Sequence, residues 1–183
     1  MGALKVSKFD AIHAQLDAAV ELFFLSDNPI ATHTLATAAY NALRDIAKKQ
    51  KEEYPFLKHG FLETLSESER KRVISFLNAP ENFFKHADKD HGETIDFDVE
   101  LTEILLMDAM AYFRDKPHLQ PKRYNVFRLW VGVIRKEAIP DEVLRSFVEA
   151  LAQSMKAKGK VEFWRYANEL LDQRAKRLGS VPT

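Results

Sequence analysis

Ten consecutive residues concentrate the reactive side chains of this chain. Asn82-Phe83-Phe84-Lys85-His86-Ala87-Asp88-Lys89-Asp90-His91 holds two of the six histidines, two lysines and two aspartates. An imidazole moves protons near neutral pH, and a neighbouring ammonium can hold an anion such as phosphate. A carboxylate beside the ring fixes its tautomer. On that reading His86 is the acid/base group, Lys85 binds the anion, and Asn82 and Asp88 orient. Asn82 and His86 are spaced i and i+4, hence neighbours on a helix. The competing reading is a helix C-terminus whose basic residues face the negative end of the dipole, followed by a polar loop. The same run offers nitrogen and oxygen donors for a divalent ion in Asp88, Asp90 and His91, with His86 beside them.

Two further polar residues fall on helical stripes. His33 shares a face with Ala36, Thr37, Tyr40 and Arg44, so His33 and Tyr40 either line a pocket or sit satisfied in the interior. Asp108 has Ile104, Leu105, Ala111 and Tyr112 at helical spacing. A carboxylate among such neighbours needs a bonded partner, as a binding group or as a tie between helices. Glu100 and Glu103 belong to the wetter early turns of the same segment. A ferritin-like di-iron site is absent as a pattern, because no Glu-x-x-His occurs, and neither does His-Glu-x-x-His.

These residues must be positioned by helices. Apolar residues recur at helical spacing almost throughout. Helices are expected over about 8–25 with Ser7 as N-cap, from Pro29 to about Lys51, and from the Ser66-x-x-Glu69 capping box to Asn78. A short restart is expected over 80–86, then helices over about 97–114, 122–137, 140–156 and 161–178. The expected fold class is all-α: a bundle of four core helices (1–115) extended by about three C-terminal helices (116–183), together one domain.

Composition narrows the chemistry. With no Cys there is no disulfide framework, Fe–S cluster, thiolate zinc site or Cys nucleophile. The six glycines build no nucleotide-binding loop. Met1 to Phe9 lacks an apolar signal region, and no apolar run approaches the roughly 18 residues of a spanning helix. A cytoplasmic protein without membrane contact is the expectation.

The formal charge of zero conceals a dipolar chain. Residues 1–115 carry 13 Lys/Arg against 20 Asp/Glu, and residues 116–183 carry 14 against 7. The acid surplus lies between Asp88 and Asp108, with eight acids and one base. The basic C-terminal part interleaves aromatics (Tyr124, Phe127, Trp130, Phe163, Trp164). That pattern suits either phosphate binding or an amphipathic core face.

The strings Asp27-Asn28-Pro29-Ile30-Ala31-Thr32-His33-Thr34-Leu35 and Asn82-Phe83-Phe84-Lys85-His86-Ala87-Asp88 resemble those of a bacterial family of all-helical proteins over about residues 10–115. That resemblance implies a helical fold and no particular activity. More distantly, the helix order and the Asn-x-x-Lys-His string are similar to HEPN domains. Those are helical bundles, often dimers, found in toxin–antitoxin and phage-defence systems. Many are metal-independent ribonucleases with an Arg-x(4–6)-His motif. Here Ala79, Pro80 and Glu81 stand where His86 would need the arginine, and Lys85-x(5)-His91 is the nearest substitute. Lysine lacks the bidentate fork of arginine.

Three functions therefore compete. The first is a HEPN-like nucleotide- or RNA-binding module or degenerate ribonuclease, expected as a homodimer. The second is a small-molecule or metal-binding protein using the His33/His86 region. The third is a non-enzymatic interaction protein. The sequence leaves the identity of any cofactor open.

Overall fold

The computed structural model describes residues 2–52, 57, 61–86, 91–134, 142, 146, 149, 152–153 and 158–179. Every element among them is helical. Helix α1 (Lys8–Leu25) opens on a capping box in which the Ser7 hydroxyl accepts the Asp10 N–H at 3.1 Å and the Asp10 carboxylate accepts the Ser7 N–H at 2.9 Å. A corner of Ser26, Asp27 and Asn28 reverses the chain. Asn28 then caps α2 (Pro29–Gln50) by accepting the Ala31 N–H at 3.0 Å, with Pro29 in the first turn. Lys51 ends α2 in the left-handed region at φ 56°, where the sequence places the end of the helix.

So short a corner makes α1 and α2 antiparallel neighbours. They bury Ile12, Leu16, Val20 and Phe24 of α1 against Ala36, Ala39, Tyr40 and Leu43 of α2. The small side chains of α2 allow that close approach. Helix α4 (Glu100–Ala111) lays Leu101, Leu105, Leu106, Ala109 and Met110 on the same core.

Helix α3 (Glu67–Lys85) corrects one sequence expectation. It does not stop at Asn78 and restart at Pro80, but runs through Pro80 without a break. An interior proline removes one backbone N–H and costs about 3 kcal/mol in an unsupported helix. Here Leu77, Pro80 and Glu81 all lie buried on one face, and that packing supports the helix across the proline.

The C-terminal helices pack on the bundle within the same chain. Helix α5 (Tyr124–Ile134) and helix α6 (Gly159–Gly179) meet α1 through aromatic rings. Phe24 stacks on Phe163 at 5.5 Å, and Trp130 meets both edge-on at 5.5 and 5.1 Å. Arg123 clamps the junction. Its backbone N–H donates to Asp17 at 2.8 Å, its guanidinium donates to Glu21 at 2.6 Å, and it lies over the Trp164 ring at 4.8 Å. Of the helix expected over 140–156, residues 142, 146, 149, 152 and 153 are described, each in helical conformation.

Candidate functional site

His33 lies deep in the interior and is fully buried. Its Nδ1 is 2.9 Å from the Thr102 hydroxyl of α4. The rings of Phe97 at 4.9 Å and Phe84 at 5.9 Å pack edge-on against it. This box joins α2, α3 and the lead-in to α4. Tyr40, two turns along α2, is also fully buried. Asp108 acts as a tie: its carboxylate accepts the Leu57 backbone N–H at 2.6 Å and fixes the segment after α2 to α4.

The Lys85–His86 end of α3 is built differently. Lys85 donates to the Glu81 carboxylate at 2.6 Å, and the Asn41 amide donates to both oxygens of Glu81 at 2.9 Å. Asn82 and His86 are exposed. His86 is the C-cap of α3, its backbone N–H bonded to the Asn82 carbonyl at 3.1 Å. The structure thus brings His33 to Phe84, while the Lys85 ammonium is held by Glu81. Asp88 and Asp90 lie outside the described residues. His91 is described and exposed. Among the described residues no three His, Asp or Glu side chains converge as a metal site.

A cleft of about 390 Å³ opens beside the His33 box. The α1–α2 corner supplies Phe23, Ser26, Asp27, Pro29 and Thr32. The start of α4 supplies Val99, Glu100, Thr102 and Glu103, and the start of α6 supplies Lys160. Thr102 therefore faces two ways, with its hydroxyl on buried His33 and its residue in the cleft wall. The Lys160 ammonium sits 3.5 Å from the centre of the Phe23 ring. Burial pushes this amine below its ordinary value, and the nearby Glu103 carboxylate opposes that shift. Lys160 makes no ion pair among the described residues. The start of α4 lacks a capping side chain at Val99; instead Asp98 accepts the Glu100 N–H at 2.9 Å.

A second cluster ties the connector after α4 to the end of α2. Lys116 donates to Glu52 at 2.8 Å and lies 3.7 Å from the Tyr112 ring centre. The bond from Lys116 holds the Glu52 carboxyl below its ordinary range. Burial, then the neighbouring Glu52, pushes the Tyr112 hydroxyl up. Phe127 and Phe163, counted above among aromatics suited to phosphate binding, are fully buried and belong to the core.

Sequence reasoning missed the cleft. It placed Glu100 and Glu103 on the wetter early turns of their segment, and Lys160 was one residue of the basic C-terminal part. One signal was present: Lys160 follows Gly159 at a helix start, where the positive end of the dipole disfavours a cation. No protein-family model, curated protein or solved structure matches the chain. No helix among the described residues is long and apolar enough to cross a membrane.

Proposed function

We propose that the protein is a small-molecule-binding helical protein whose ligand occupies the cleft between the α1–α2 corner, α4 and α6. One observation carries this reading. A lysine is folded onto a phenyl ring in the wall of an open cavity, where no ion pair among the described residues holds it. The volume falls in the range of about 300–1,000 Å³ that ligand sites occupy. The lining mixes apolar surface with a few polar groups, as such sites do.

The ribonuclease alternative draws less support. A phosphate at Lys85 would meet the carboxylate of Glu81 and the negative end of α3. His86 is exposed and has no enclosing cavity wall among the residues around the cleft. The His33 box reads as the rigid back wall of the site, with Thr102 as the shared residue.

Chemical-shift mapping on the labelled full chain tests the proposal, using a set of neutral, cationic and anionic fragments of about ten heavy atoms. Shifts centred on Thr32, Val99, Thr102 and Lys160 are expected. Shifts centred on Lys85 and His86, or none at the cleft, contradict it.

A further inference from the structure

We infer that the outer face of α4 is where two copies of this chain meet, helix against antiparallel helix about a two-fold axis at Met107. Helix α4 packs on α2 and α5 and leaves a further face open. Glu100, Ile104, Met107 and Ala111 recur there at intervals of four, three and four residues, so they share one stripe of the helix. Past Ala111 the chain tightens into i to i+3 turns. The Arg114 N–H donates to the Ala111 carbonyl at 3.1 Å, and Arg114 continues the same line. Glu100, Ile104, Ala111 and Arg114 are exposed, and Met107 is half-buried. An acid thus opens the stripe, a base closes it, and apolar side chains lie between.

That pattern complements itself. Met107 stands midway, seven residues from Glu100 and seven from Arg114. Antiparallel pairing sets Glu100 against Arg114 of the second copy, twice by symmetry, with Ile104, Met107 and Ala111 in the centre. Parallel pairing would set like charges together. Neither charge is committed elsewhere in the fold. Glu100 makes no ion pair among the described residues, and Arg114 reaches only its chain neighbour Asp115 at 3.4 Å, both side chains exposed. Beside the stripe, a groove of about 240 Å³ lies open between α4 and α5, lined by Met107, Met110, Phe127 and Val131. Methionine adapts its shape to an opposing side chain, so this groove can take an apolar group from a facing helix. Arg128 lines the same groove as Arg114 and makes no ion pair among the described residues, which adds to the positive end. The formal charge of zero leaves no net repulsion between copies. The pairing needs no ligand in the cleft, whose wall shares Glu100 with the stripe.

Sedimentation velocity of the full chain, from about 1 μM to about 500 μM, tests this. One helix pair makes a small interface, so a dimer with Kd of about 10–100 μM is expected. Arg114→Glu is expected to weaken it about tenfold, because two glutamates then face each other at both ends of the pair. Glu100→Arg is expected to do the same. Glu100→Arg combined with Arg114→Glu is expected to restore the original affinity within about threefold. Circular dichroism, expected unchanged in each variant, separates loss of pairing from loss of fold. A chain that stays monomeric throughout overturns the inference. So does a dimer that neither single substitution weakens, or a combined variant that pairs no better than Arg114→Glu alone.

Discussion

Lys85 and Lys160 both stand at helix ends, the first at the last residue of α3 and the second at the second residue of α6. Both are exposed, but their partners differ. Lys85 sits where the helix dipole favours a cation, paired i to i+4 with Glu81 at 2.6 Å. Its position follows from the stability of the helix alone. Lys160 sits where the dipole disfavours it and lies on an aromatic ring beside a cleft. Local structure accounts for the first lysine and leaves the second to be explained by the site.

That contrast can be broken by substitution. The largest effect is expected at the closed wall the cleft shares with the interior. Thr102→Val removes the hydroxyl beside buried His33 and should cost about 1–3 kcal/mol in urea unfolding. An unchanged midpoint would mean that the wall does not depend on this bond.

Lys116 supplies a half-buried lysine that does have a carboxylate partner. Glu52 is held below its ordinary 4.5 by the bond from Lys116. Its stabilisation is present above that pH and is lost as pH falls through the folded value. Lys116→Met should remove this part of the acid sensitivity, with an effect at pH 7 of about 0.5–1 kcal/mol. Acid unfolding curves of the two proteins give the comparison.

The two lysines at the helix ends should then respond with opposite signs. Lys85→Met is expected to lower stability by about 0.5 kcal/mol, the scale of an exposed pair with its dipole. Lys160→Met is expected to leave stability unchanged or raise it by about the same amount, since a disfavoured charge is removed. Equal losses would erase the distinction between them. The smallest effect is expected for His86→Ala, within about 0.5 kcal/mol as for other surface changes. It should leave any RNA turnover by the purified chain unaltered; loss of cleavage in that variant would restore the ribonuclease reading.

The sequence made some of this plain and hid the rest for identifiable reasons. The starts of α1 and α2 are legible because Ser7, Asn28 and Pro29 act within a few residues. Pro80 misleads because a proline is a local stop signal, whereas the buried Leu77–Glu81 face that carries α3 through it is tertiary. His33 is recognisable as a polar residue on a stripe of small ones, but its partner Thr102 lies 69 residues away. Asp108 presents itself as a carboxylate in need of a bond, yet a backbone N–H, that of Leu57, supplies one. No side-chain pattern could announce that. The cleft is least legible, since three helix starts from distant parts of the chain converge only after folding.

The account rests on the Lys160 amine lying in the cleft, against the Phe23 ring and near Glu103, rather than in open water. Direct titration of the Lys160 amine by NMR in the full-length protein tests this most closely. A value below the ordinary 10.5 is expected, moving lower still in Glu103→Gln, because Glu103 is the group that favours the charged form. A Lys160 amine that titrates at or above 10.5, indifferent to Glu103, would place it in water and contradict the account.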